Sequence, residues 1–192
     1  MIYYYPNRPI LISPDSSLVK RLSDDDDWFA EIKYNGDRLC LQLIDKKFHF
    51  FNRHKQLLKY QPSKELSDQL YSLNLPNNSQ FDGELMHFHT KNIKDTIYFY
   101  DIYYLNGEDV EERLEVRKEI LYSFIKKPLP NISVTKEFKK DFVKVFNKVT
   151  KVAEQEGLVM KNRNGLIKFT TNKSYDVDWQ YKIRKENKNY AF

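Results

Sequence analysis

The segment Glu31-Ile32-Lys33-Tyr34-Asn35-Gly36-Asp37-Arg38 sets a lysine five residues ahead of an arginine, with a glycine between them. A deprotonated lysine amine is a nucleophile, a glycine lets backbone come close to a ligand, and an arginine offers a planar fork of donors. Those are the parts that covalent transfer of a phosphate-linked group requires.

Residues of matching type recur downstream. Phe81-Asp82-Gly83-Glu84-Leu85 heads a strand, where Gly83 admits close approach and Glu84 presents a carboxylate suited to a ribose hydroxyl or a cation. The same pentad also reads as a surface turn before a strand. Tyr100, in Ile97-Tyr98-Phe99-Tyr100-Asp101-Ile102, offers an aromatic face to a purine, although the run reads first as core aromatics of a central strand. Glu156-Gly157-Leu158-Val159-Met160-Lys161 again puts a carboxylate before a glycine, with a cation five positions on. Within Trp179–Lys185, Lys182 and Arg184 share one strand face by the period of two, a pairing that suits a phosphate on which charge builds, although the segment by itself reads first as a generic basic strand end. His87 and His89 also share a face, but a pair with no third ligand is a weak metal signal.

The elements that must position these groups follow from periodicity and punctuation. Residues 1–27 read as an extended segment, with Pro6, Pro9 and Pro14 against regular helix, then a short helix ending in the solvated run Asp24 to Asp27. Leu39, Leu41 and Leu43 alternate as in a half-buried strand. A strand over 47–52, a helix over 63–73, aromatic strands over 80–88 and 96–104, and a helix over 111–125 follow. Phe138, Phe142, Val145, Phe146, Val149, Val152 and Ala153 recur at helical spacing and predict one long helix with a lysine-covered outer face. Short strands over 157–161, 165–170 and 180–185 close the chain. Strands in turn-connected pairs with helices between groups predict an α+β fold with antiparallel sheets flanked by helices.

At 192 residues the chain predicts a single domain, residues 1–192, with residues 1–27 packing on the rest. A formal charge of +5 favours a polyanionic partner. One cysteine, Cys40, sits mid-strand as a buried small hydrophobe and leaves no internal disulfide. No apolar run approaches a membrane span and no signal peptide is visible, so the expectation is a cytoplasmic protein without a membrane partner.

In order, the chain reads KYNGDR, DGEL, YFYDIYYLNG, EGLVMK and W-x-x-K-x-R, from about Trp28 to Lys185. This resembles the covalent nucleotidyltransferase superfamily of ATP-dependent DNA ligases, RNA ligases and mRNA capping enzymes. Among these it is most similar to the ATP-dependent DNA ligases, in the nucleophile segment, the YLNG turn and EGLVxK. The resemblance implies a ligase adenylation domain, nucleotidyltransferase or ATP-grasp-like, of two antiparallel β-sheets.

It further implies that Lys33 attacks the α-phosphate of ATP and carries AMP to a 5′-phosphate at a nick in duplex DNA or RNA. Lys182 and Arg184 would neutralise phosphate, and Arg38 and Glu84 would hold the ribose. Tyr100 would stack on adenine, Glu31 would lie near the base, Glu156 would serve magnesium, and Arg53 would sense the nick phosphate. The chain departs from the family pattern in three places. Asn35 replaces the usual aspartate two residues after the lysine, and Arg184 replaces a lysine. The chain stops seven residues beyond Lys185, with no OB-fold domain, so the expectation is either an excised adenylation domain or a minimal protein that works with a separate OB-fold or DNA-binding partner. The competing expectations are an RNA ligase and a non-catalytic scaffold that binds nucleotide or nucleic acid.

Overall fold

The computed structural model describes residues 1–88 and 90–185; His89 lies outside the described residues. The elements run β1 (Arg8–Leu11), α1 (Ser17–Asp24), β2 (Trp28–Tyr34), β3 (Asp37–Ile44), β4 (Lys47–Phe51), α2 (Lys64–Ser72) and β5 (Ser79–Met86). They continue through β6 (Thr96–Leu105), β7 (Glu108–Asp109), α3 (Leu114–Phe124), β8 (Ile132–Val134) and β9 (Glu137–Phe138). Last come α4 (Phe142–Val149), β10 (Gln155–Asn162) and β11 (Asp176–Arg184). One sheet has the order β1-β11-β10-β2-β9 and the other β4-β3-β5-β6-β7, with β8 beside β6. The fold is α+β, with mostly antiparallel sheets and four helices among the described residues, as the sequence predicts. Only β1 on β11 and β8 on β6 pair in parallel among these strands.

In the first sheet, alternate residues go to opposite faces. Trp28, Ala30, Leu158, Met160 and Ile183 pack with Val19 and Leu22 of α1 and with Phe142 and Val149 of α4. The second sheet buries Leu39, Leu41, Phe81, Leu85, Ile97 and Phe99 with Leu66 and Leu70 of α2 and Leu121 of α3. Its other face is polar yet also covered. Residues 2–4 lie along it, where the Tyr4 N–H donates to the Gln80 side chain at 3.0 Å and Gln42 donates to the Ile2 carbonyl at 3.2 Å. The half-buried strand expected over 39–43 is therefore buried on both faces. Its alternation reports two differently filled layers, one of them polar.

Two expectations are corrected. The long helix from Phe138 to Ala153 is only Phe142–Val149. Asp141 takes a left-handed φ of 59°, the Phe142 N–H is held by the Ser23 hydroxyl of α1, and Phe138 belongs instead to β9, paired with Ala30. Residues 165–170 form no strand; Asn7 holds this stretch through the Lys168 N–H and carbonyl, at 2.9 and 2.8 Å. Asp24 to Asp27 lie exposed at the end of α1 and the turn after it, as expected. No helix among the described residues is long and apolar enough to cross a membrane.

Candidate functional site

The face of the first sheet opposite its helices floors a cleft of about 770 Å³. Strand register sets what stands there. Lys33 is level with Gly157 and Arg184, Glu31 with Val159 and Lys182, and Phe29 with Lys161 and Gln180. By the two-residue alternation these rows share one face, so four cations and a carboxylate line up on neighbouring strands. A register shift between Gln155 and Gly157 interrupts the alternation at Glu156. Such a bulge re-aims a side chain, and Glu156 meets Lys33 Nζ in an ion pair. The lysine side chain remains 26% exposed while Glu156 is 7% exposed, so the amine faces the cleft with its carboxylate behind it. Gly157 is required by this geometry: a Cβ there would stand 2.0 Å from the Ile183 carbonyl oxygen.

Between β2 and β3 the chain crosses to the second sheet through Asn35 and Gly36. The Gly36 N–H donates to Glu84 Oε1 at 3.0 Å, and a Cβ on Gly36 would lie 2.6 Å from the Leu85 carbonyl oxygen. Glu84 also accepts from the Tyr100 hydroxyl. Burial pushes the Glu84 carboxyl above its usual range, against Lys33, Tyr100 and Arg38, which favour its charge. Burial, followed by the Glu84 charge, holds the Tyr100 hydroxyl well above its usual range, so it stays a donor. Tyr100 is the extra residue where the β5–β6 register shifts between Asp82 and Gly83. Arg38 and Lys161 lie over its ring, at 5.0 and 5.2 Å from the centroid. Arg38 pairs with Asp82 through Nε, at 2.5 Å, and one terminal nitrogen. Tyr34 and Tyr98 stack at 4.0 Å across the junction of the two sheets.

At the inner end, Glu31 is 1% exposed and clasped by two lysines. Lys118 of α3 meets Oε1 and Lys161 of β10 meets Oε2, the latter at 2.6 Å. Burial alone would raise the Glu31 carboxyl; Lys118 and Lys161 outweigh it and hold the group below its usual range. Lys182 is half-buried, and burial, Lys33 and Arg184 together lower its ammonium below the usual lysine value.

The cleft thus brings together Glu31, Lys33, Arg38, Arg53, Glu84, Tyr100, Glu156, Lys182 and Arg184, every candidate drawn from the sequence. Arg53 stands at the rim on an exposed turn. The Asn52 side chain caps that turn, accepting from the His54 and Gln56 N–H groups at 2.9 and 3.1 Å. Burial pushes the Cys40 thiol up to about 12, which removes it as a nucleophile. Sequence reasoning assigned no role to Asp82, Lys161 or Lys118. The first two lie inside motifs already singled out, beside Gly83 and at the end of EGLVMK. Lys118 carried no local signal, because it meets Glu31 across 87 residues of chain. No group of three or more His, Cys, Asp or Glu able to hold a metal occurs among the described residues. Glu156 is nevertheless suited to magnesium, which takes one or two carboxylates together with substrate phosphates and water.

The arrangement has a cationic end, at Lys33, Lys182 and Arg184, and an aromatic and acidic end, at Tyr100, Glu84 and Glu31. A nucleotide has the same polarity. A family model described as ATP dependent DNA ligase domain matches residues 86–180. No curated protein matches the chain by sequence. Among solved structures, a mycobacterial DNA ligase D complexed with ATP and MES superposes with a TM-score of 0.66 at 16% identity, over 93% of this chain and 60% of that one. The ATP-dependent DNA ligase of bacteriophage T7, complexed with ATP, gives 0.56 at 16% identity over 95% and 69%. A structure from work on Lig E DNA ligases, titled as DNA binding with a minimal scaffold, gives 0.58 at 13% identity over 94% and 70%. The chain spans 60% of the mycobacterial structure.

Proposed function

We propose that the chain is an adenylation domain of the ATP-dependent DNA ligase type, a reading supported by the family model over residues 86–180 and by the shared fold, and that Lys33 is the nucleophile of a self-adenylating enzyme. The Lys33–Glu156 pair, opposite Arg38, Glu84 and Tyr100 in one cleft, carries the reading. Free lysine has a pKa of roughly 10.4, so the amine must first lose a proton. Glu156, already in contact with Nζ, receives it. The freed lone pair attacks the α-phosphorus of ATP, a P–N bond forms, the P–O bond to the β-phosphate breaks, and pyrophosphate leaves. Lys182 and Arg184 neutralise the charge that builds on the phosphates. Before it takes the proton, the ionised Glu156 would also be able to hold magnesium together with substrate phosphates, and the ion would supply charge neutralisation there.

At the other end Tyr100 stacks on adenine, Glu84 and Arg38 hold the ribose, and Glu31 lies beside the base. Adenylate then passes from Lys33 to the 5′-phosphate of a nick, and the adjacent 3′-hydroxyl displaces AMP to seal the strand. Arg53 binds the nick phosphate, a task suited to a guanidinium fork. The proposed substrate is nicked duplex DNA, with an OB-fold or DNA-binding partner. Asn35, where the family carries aspartate, supports RNA as the second reading.

Incubation with ATP and magnesium followed by intact-mass measurement tests the first step. One AMP adduct is expected, absent from Lys33→Ala and not formed as GMP from GTP. No adduct, even with an OB-fold partner supplied, overturns the proposal. Nicked DNA, nicked RNA and mixed duplexes offered in parallel identify the substrate; sealing of RNA 3′-hydroxyl ends alone overturns the preference for DNA.

A further inference from the structure

We infer that Lys118, on α3, is a positioning residue that sets base selection, by fixing Glu31 as an acceptor in the cleft together with Lys161. The inference rests on the nucleotide reading of the cleft and assigns a residue that this reading leaves out. Lys118 Nζ reaches Glu31 on the first sheet and lies 3.4 Å from the Tyr100 carbonyl oxygen on the second. It therefore ties together the two strands that present Glu31 and Tyr100. Its side chain is 4% exposed and that of Glu31 2%, so this is a built cluster rather than a surface pair.

The chemistry follows from what an ionised carboxylate can do. It accepts hydrogen bonds and donates none. Lys118 takes Oε1 and Lys161 takes Oε2, and each oxygen keeps a second lone pair. Beside a purine, such a carboxylate accepts from the exocyclic amine of adenine. It repels the carbonyl oxygen that guanine presents at the same ring position. A neutral carboxylic acid or an amide could donate to that oxygen and would lose the distinction. Buried Glu31 stays charged only while cations stand beside it, and Lys118 is one of two. The energetic logic is that of a site whose polar group is left unpaired by the wrong ligand.

Equilibrium binding of ATP and GTP to the full chain, alongside intact-mass adduct formation, separates this inference from the proposed function. The wild type is expected to prefer ATP. Lys118→Met should lose about tenfold or more of that preference, the scale of a hydrogen bond to a charged group. Lys118→Arg should restore it. The loss should appear in the ratio of ATP to GTP affinity and in KM, with kcat for adduct formation changing less. Where Lys118→Met fails to fold, judged by its melting curve, Glu31→Gln carries the same test and should lose the preference too. An unchanged ratio in the variant, or a wild type without base preference, overturns the inference. A wild type that binds ATP with preference but forms no adduct overturns the proposed function alone.

Discussion

Glu156 and Lys182 flank the same amine with opposite charge. Glu156→Gln keeps the shape of the side chain but removes its charge and its capacity to take a proton. Adduct formation in a single turnover should slow by about 100-fold or more, the usual weight of a positioned general base. A variant as fast as wild type would remove Glu156 from the proton path. Lys182 makes a different prediction. Its ammonium is held low by burial and by Lys33 and Arg184, and an arriving triphosphate must raise it again. Between the lowered and the restored value, binding takes up a proton. Calorimetric titration of ATP at alkaline pH, in buffers of different ionisation enthalpy, should show that uptake, and Lys182→Arg should abolish it. The members of the candidate site were legible in the sequence because each stands in a short motif. Their partners Asp82 and Lys118 were not, since Arg38 reaches Asp82 across 44 residues and Glu31 reaches Lys118 across 87. Pairings of that range depend on the register of strands and the placing of a helix.

The strand β10 carries the site's tightest steric demand. Gly157 lies between Lys33 and Arg184 in register, and any Cβ would press on the Ile183 backbone. Gly157→Ala should cost about 2 kcal/mol or more, as overpacking against backbone does. It should also displace Glu156, so adduct formation should fall further than the stability loss explains. Denaturant titration beside adduct kinetics checks both. At the rim, the Tyr3 hydroxyl donates to the Asn52 carbonyl at 2.7 Å, bracing the turn that holds Arg53. Tyr3→Phe should leave adenylation unchanged and weaken nick binding, measured by titration with nicked duplex. Strands and turns of this kind were readable from alternation and punctuation. The helix α4 was overextended because an apolar residue at the right spacing does not reveal its partner. Phe138 fits a helical stripe, yet it serves better beside Ala30 in β9 once Asp141 breaks the run. The strand over 39–43 misled in the other direction, because alternation does not show that residues 2–4 cover the polar face.

At the scale of the molecule, the cleft persists because its two walls are joined from behind by buried charge. Arg117 of α3 is fully buried and grips Asp101 of β6 through two nitrogens, at 2.7 and 2.8 Å. It also donates to the carbonyls of Glu112 and Gly165, at 2.6 and 2.9 Å, and lies 5.5 Å from the Trp179 ring of β11. One side chain therefore connects the strand of Tyr100 with the strand of Lys182. Asp101→Asn would leave that guanidinium buried without its counter-charge, a loss of about 3–5 kcal/mol at neutral pH. The pH dependence has a definite sign. Burial alone would raise the Asp101 carboxyl, but Arg117 outweighs it and holds the group below its usual value. A carboxylate lowered in the folded state stabilises above the unfolded value, roughly pH 4, and that contribution disappears as pH falls through the folded value. Denaturant titrations of wild type and Asp101→Asn should therefore differ most near pH 7 and converge as pH falls below about 4. A gap that stays constant down to pH 3 would mean that the pair holds no pH-linked stability, leaving the Arg117 bonds to Glu112 and Gly165 to join the walls.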